Sequence, residues 1–278
     1  MSLRLRVRCP AKFNPFLAVG PPDASGYHPI RTVFQAVSLF DELRVAEGVR
    51  DSLACSWDGL PADNTITKAL RLCRELAPIP PLSITLDKQI PAQSGLGGGS
   101  SDAAGLLRAL ECLYPGLLGE RDRWEIAHAV GADVPFFLVG GRARGEGYGE
   151  RLRPMEDAPA QWLVVARPEG GVSTAEAYRA LDSVDRRWAK FEDAERGWAN
   201  DFERVMPAAS AELADRLRAA GAHPAVLCGS GSAVAAGASS RQDAERIRAE
   251  ISAPDVRAWA VHTLTRAESL AMLRDETA

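Results

Sequence analysis

Four glycines and three serines crowd into Pro91-Ala92-Gln93-Ser94-Gly95-Leu96-Gly97-Gly98-Gly99-Ser100-Ser101, between a strand-like run and a helix-like one. Leu82, Ile84 and Leu86 precede it at the strand period, and Leu106, Leu107, Leu110 and Leu113 follow it at helical spacing. The chain must therefore pass from a strand through a glycine loop into a helix that begins at about Ser101. At a helix N-terminus the unpaired N–H groups and the positive end of the dipole favour an anion, and glycine lets that backbone approach a phosphate.

Two familiar glycine motifs do not fit. A Walker A loop needs a lysine after its second glycine, and none lies between Gly95 and Asp102. A dinucleotide fingerprint starting at Gly95 needs glycine where Ser100 stands. The positive charge that phosphates require must come from elsewhere in the chain.

The rest of the sequence interleaves strands and helices, which predicts an α+β protein of two layered domains, 1–155 and 156–278. Leu3, Leu5, Val7 and Cys9 alternate with arginines as a first strand, which places Lys12 just past its end. Pro15 lacks an N–H and belongs at a sheet edge or bulge. Thr32 to Val45 reads as extended and Asn64 to Leu76 as a helix with Ile66, Ala69, Leu70 and Cys73 on one face, ended by Pro78, Pro80 and Pro81. A further helix spans Trp124 to Val130 and stops at Gly131. In the apolar stretch that follows, Asp133 is either a helix cap or a site residue, because an unpaired buried carboxylate is costly.

Gly140 to Glu150 reads as a polar glycine-rich segment, Trp162 to Ala166 as a strand, and Tyr178 to Met206 as solvated helix surfaces anchored by Trp188 and Trp198. Ser210 is placed to cap a helix with Leu213 and Leu217 inward. A strand, turn and strand then run through Ala225–Leu227, Gly229–Ser232 and Ala233–Ala235, followed by a helix from Ser240 to Ile251 and a closing strand from Trp259 to Leu264.

A net charge of −4 across 278 residues speaks against a nucleic-acid partner. No apolar run reaches the roughly 18 residues of a membrane span, so no membrane partner and a cytoplasmic protein are expected. Five scattered cysteines without a Cys-x-x-Cys pair, and four scattered histidines, exclude a zinc site and suggest buried thiols. A serine hydrolase triad lacks its Gly-x-Ser-x-Gly elbow.

Pro10-Ala-Lys-Phe-Asn14, the loop from Pro91 to Ala103 and Leu227-Cys-Gly-Ser-Gly-Ser232 together resemble the GHMP family of small-molecule kinases, over nearly the whole chain. Gly26-Tyr-His28, Phe34-Gln35, Gly131-Ala-Asp-Val-Pro135 and Asn200-Asp-Phe-Glu203 narrow the resemblance to members of isoprenoid precursor biosynthesis. Those members phosphorylate the 2-hydroxyl of a sugar alcohol linked to cytidine diphosphate. Other GHMP kinases, acting on homoserine, mevalonate or a sugar, are the alternative.

The resemblance implies a ribosomal-protein-like N-terminal domain and a ferredoxin-like C-terminal domain with the active site in the cleft between them. It implies ATP and Mg²⁺, a monomer or weak homodimer, and the catalytic pair Lys12 and Asp133. It implies nucleotide contacts from Pro91 to Ser101, Asn64 and Lys88, and a Mg²⁺ hydroxyl from Ser100 or Ser101. Substrate contacts fall to Asn14, Tyr27, His28, Tyr178, Gly229 and Ser230, with the two tyrosines stacking on cytosine while His28 reads its edge. On spacing alone His28 is a structural hydrogen bonder. Asp102 is expected to point away from bound phosphates or to serve the metal.

Overall fold

Alternation over its first residues opens a strand that spans Arg4–Val19, β1, with Leu5, Val7 and Cys9 buried. The strand does not end before Lys12 but runs on for 16 residues, because its partner β2 (Ile30–Glu47) is equally long and pairs antiparallel with it. Lys12 is therefore a strand residue, held on a sheet rather than in a loop. The pairing register shifts between Phe13 and Phe16, which leaves Pro15 at a bulge where its missing N–H breaks no ladder bond. The computed structural model describes residues 4–274, and Leu3 lies outside them.

A short β3 (Ser52–Cys55) leads to helix α1 (Thr65–Leu76), which buries the expected face of Ile66, Ala69, Leu70 and Cys73. β4 (Leu82–Asp87) alternates buried and exposed without a break. Helix α2 (Gly98–Leu113) begins three residues earlier than its leucine spacing indicates, with the last two glycines inside its first turn. Helices α3 (Glu120–Val130) and α4 (Val134–Val139) complete the helical layer. The polar glycine-rich segment is a hairpin arm, β5 (Arg142–Glu146), paired to β6 (Arg151–Pro154). The chain then leaves this sheet.

The second sheet opens with β7 (Trp162–Pro168) and helix α5 (Thr174–Asp182). The charged stretch after it is not regular α-helix. It consists of 3-10 turns at Phe191–Arg196 and Asp201–Val205 around β8 (Ala199–Asn200), pinned where Trp198 packs on Phe13 and Arg31 covers Trp188. Helix α6 (Ala208–Ala219) is preceded by Pro207, so Ser210 lies inside its first turn rather than capping it. β9 (Ala225–Leu227), β10 (Val234–Ala238), α7 (Arg241–Ile251) and β11 (Val256–His262) follow, then α8 (Arg266–Leu270) and β12 (Met272–Arg274).

The second sheet has the order β11-β7-β10-β9, a ferredoxin-like β-α-β-β-α-β arrangement. The first, among the described residues, is eight-stranded and contains two late arrivals: β8 pairs parallel with β1, and β12 pairs antiparallel with its other end. The switch between sheets falls between Pro154 and Trp162, yet residues 199–200 and 272–274 belong to the first sheet. An apolar seam joins the layers, with Phe13, Val37, Ile90 and Leu96 from one side meeting Val165, Val226 and Val261 from the other. Cys9, Cys73 and Cys228 are buried and Cys55 and Cys112 partly so, and among the described residues none is joined in a disulfide.

Candidate active site

Strand geometry carries Lys12 into the interior between the two sheets, where a bare ammonium is costly and must be paired. Its Nζ donates to Asn14 Oδ1 at 2.9 Å and lies 3.3 Å from Asp133 Oδ2. Asn14 in turn donates to Thr32 Oγ1 at 2.8 Å, and that hydroxyl donates to the Phe16 carbonyl at 2.8 Å. Both ends of the Asn14 amide are thus engaged within the protein, so this residue aims Lys12. Asp133 occupies the N-cap position of α4, but its side chain makes no capping bond. The cap reading thus fails: the carboxylate turns to Lys12, and about a third of it stays accessible, 32% against 4% for Lys12.

The glycine loop wraps the same ammonium. Lys12 N–H donates to the Leu96 carbonyl at 2.9 Å, and an ideal Cβ on Gly97 would stand 3.2 Å from Lys12 Cε and 2.8 Å from the Phe137 ring. Gly95 and Gly97 have φ of +78° and +75°, a region where side chains are strained. A Cβ on Gly95 would also collide with the Cys228 carbonyl of the second glycine turn. The two turns interlock further through Ala233 N–H to the Ser94 carbonyl at 3.0 Å. On the second turn Gly229 approaches Lys12, since a Cβ there would lie 3.3 Å from Nζ. Ser230 Oγ is 3.1 Å from Thr174 Oγ1.

Gly97 starts α2 without a side-chain cap, which leaves the first N–H groups of that helix free toward the loop. The two serines after the glycines differ. Ser101 is fully buried with its Oγ unpartnered, whereas Ser100 is partly exposed and faces Gly131. Among the described residues no cluster of three or more His, Cys, Asp or Glu suits a metal ion. A magnesium ion here would take Ser100, phosphate oxygens and water as ligands, which fits its preference for few protein contacts.

Two residues expected at the nucleotide have structural tasks. Lys88 is buried and pairs with Asp41 and, at 2.9 Å, with Asp102, beneath the start of α2. Asp41 also accepts from the N–H groups of Gln89 at 2.6 Å and Ile90 at 2.7 Å, tying down the strand exit that feeds the loop. Asp102 is buried against Lys88 and borders the cleft beside the loop, and burial pushes its carboxyl up to about 8 against the opposing pull of Lys88. One ammonium cannot neutralise two buried carboxylates, so Asp102 keeps a proton. Asn64 caps α1 in a reciprocal capping box with Thr67, its Oδ1 accepting from the Ile66 and Thr67 N–H groups. Asn64 and Lys88 nevertheless line a cleft of about 850 Å³ with Trp57, Leu60, Gln93 and Gly99, beside the loop. A groove of about 500 Å³ behind α1, lined by Arg74 and Asp51, holds none of the expected site residues.

The aromatic residues gather at the other side of Asp133. Tyr178 is half-buried, meets Phe202 edge-on at 4.9 Å, and its phenol is pushed up to about 12, first by burial and then by the charge of Asp133. It stacks on His28 at 5.0 Å, while His28 Nε2 lies 2.6 Å from Asp182 Oδ1. Tyr27 is 68% exposed and its ring lies 5.6 Å from that of Tyr148. Spacing gave no signal for Asp41, Thr32 or Asp182, which act through partners distant in the chain. Asn200, part of a quoted motif, donates to the Leu227 and Gly229 carbonyls at 2.8 and 2.7 Å and so shapes the second glycine turn.

Known proteins resemble this chain. The family described as GHMP kinases N terminal domain matches residues 64–141, and GHMP kinases C terminal matches residues 177–256. A 4-diphosphocytidyl-2-C-methyl-D-erythritol kinase of Salinispora tropica is 38% identical over 91% of this chain and 89% of its own length. One of Desulfitobacterium hafniense is 33% identical over 92% and 94%. A crystal structure of 4-(cytidine 5'-diphospho)-2C-methyl-D-erythritol kinase superposes with a TM-score of 0.79 at 35% identity, covering 93% of this chain and 98% of that one. A homoserine kinase from Cytophaga hutchinsonii, at 20% identity and a TM-score of 0.68 over 97% of both chains, shares the fold. With a buried lysine facing a carboxylate between two interlocked glycine turns, and relatives of this identity across nine-tenths of its length, the chain belongs to the GHMP kinases and, within them, to the group of 4-diphosphocytidyl-2-C-methyl-D-erythritol kinases.

Proposed function

We propose that the protein transfers the γ-phosphoryl group of ATP to the 2-hydroxyl of 4-diphosphocytidyl-2-C-methyl-D-erythritol. The observation that carries this reading is the Lys12–Asp133 pair, 3.3 Å apart where the two glycine turns meet. Phosphoryl transfer asks mainly for positioning and for stabilisation of charge. The substrate hydroxyl sits against the accessible side of Asp133 and gives it its proton as the new O–P bond forms. The bond between the γ-phosphorus and the bridging oxygen breaks, and ADP leaves with the electron pair. Lys12, 3.3 Å from Asp133, also faces the charge on the transferring group. Magnesium, when bound, neutralises phosphate charge. The free N–H groups at the start of α2 hold the phosphate oxygens, and the 850 Å³ cleft takes the adenosine.

Tyr27, Tyr178 and His28 hold the cytidine end, two by stacking and one by hydrogen bonding. Among the described residues no helix is long and apolar enough to cross a membrane. The division into an N-terminal domain of 1–155 and a C-terminal domain of 156–278, a cytoplasmic location and a monomer or weak homodimer complete the reading.

Coupled measurement of ADP release over a panel of alcohols tests it. Turnover is expected with the cytidine-diphosphate substrate and not with homoserine or mevalonate; equal turnover of either would remove the substrate assignment. Asp133→Asn should lose about 100- to 10,000-fold in kcat, the usual worth of a general base, while ATP still binds. A wild-type rate in that variant would remove the catalytic assignment.

A further inference from the structure

Asp182 is the last residue of α5, where a carboxylate opposes the helix dipole, so its local setting does not favour it. Its Oδ1 lies 2.6 Å from His28 Nε2, and among the described residues its side chain makes no other hydrogen bond or ion pair. Tyr178, one turn earlier on the same helix face, stacks on the same imidazole at 5.0 Å with the planes 30° apart. The imidazole is thus gripped on one face and at one nitrogen by a single helix, and a flipped ring would lose the contact with Asp182.

A carboxylate beside Nε2 holds the ring hydrogen there, so in the neutral imidazole Nδ1 carries a lone pair and accepts. Nδ1 has no hydrogen-bond partner among the described residues. Cytosine presents an amino donor on its pairing edge at the position where uracil presents a carbonyl acceptor. We propose that Asp182 is a positioning residue that makes His28 an obligatory hydrogen-bond acceptor, and so selects cytosine over uracil in the substrate. The proposal rests on the reading of His28 as the base contact. A uracil carbonyl facing the Nδ1 lone pair would leave two acceptors opposed and unpaired, and unpaired polar groups discriminate more strongly than lost apolar contact.

The test compares turnover of the cytidine-diphosphate substrate with that of its uridine-diphosphate counterpart at alkaline pH, where an imidazole is neutral. Wild type is expected to prefer cytidine by roughly 100-fold or more. Asp182→Ala should raise KM for the cytidine substrate about tenfold and lower the base preference by a similar factor, the worth of one hydrogen bond, with kcat nearly unchanged. Asp182→Asn keeps an oxygen to accept from Nε2–H and should recover most of the preference. Nitrogen-15 spectra of the His28 ring should show hydrogen on Nε2 in wild type and a tautomer mixture in Asp182→Ala. Wild-type preference and a wild-type ring spectrum in Asp182→Ala would overturn the proposal while the base contact stands, provided His28→Ala loses the preference. If His28→Ala keeps it, or if wild type uses both substrates alike, the underlying reading falls and the proposal with it.

Discussion

Asp102 lies early in α2, buried beside Lys88 and Asp41, and burial favours its protonated form. Burial raises its folded-state value to about 8, far above the roughly 3.9 of an unfolded aspartate. Between those values the folded protein holds a proton that the unfolded chain has released, so this group's contribution to stability declines as pH rises and is gone above the folded value. Asp102→Asn is close in shape and carries no charge. Urea unfolding at pH 6 and pH 9 should show wild type losing stability over that interval and the variant losing less; identical slopes would refute the assignment. At this scale the sequence was informative about identity and silent about partners. Lys12, Asp133 and His28 could be picked out, but Asp41 and Asp182 could not, because what defines them is a hydrogen bond across 47 and 154 residues of chain.

The loop of Pro91 to Ser101 is built as an interlock, and each of its two positive-φ glycines touches a different neighbour. Gly95→Ala combines a left-handed backbone with a collision at the Cys228 carbonyl. It is expected to destabilise the protein by roughly 2–5 kcal/mol, the sum of backbone strain and overpacking, and to raise KM for ATP more than tenfold, as read by denaturant unfolding and by ADP release. Gly116→Ala, at a similar φ of +75° but with open space around it, should cost only the strain and leave KM unmoved. Strand β4 and the buried face of α1 were legible because their periods are regular. The length of β1 was not, since Pro10, Pro15 and the change from alternating to continuous burial hide a strand whose partner alone keeps it extended. The region from Tyr178 to Met206 misled for the opposite reason: its charge density resembles a helix surface, while its chain is held by aromatic anchors in short turns.

Across the whole molecule, the first sheet is closed by segments from the far end of the chain. β8 adds beside Phe16 and Leu17, β12 adds along Leu5 to Val7, and Leu264 joins the core under that sheet. A fragment of residues 1–155 is therefore expected to lack a cooperative thermal transition by circular dichroism, and adding residues 156–278 in trans should restore one. A sharply melting fragment would show the N-terminal layer to be self-sufficient. That β1 holds Lys12 and also takes its edge partners from β8 and β12 has a consequence in time. During synthesis the strand that bears Lys12 leaves the ribosome long before β8 and β12, and must wait for them before its sheet is complete. Long-range closure of this kind is slow and leaves an apolar edge open meanwhile. Truncated or stalled chains of this protein should accordingly be inert and prone to association, with activity arriving in one step when the final strand docks.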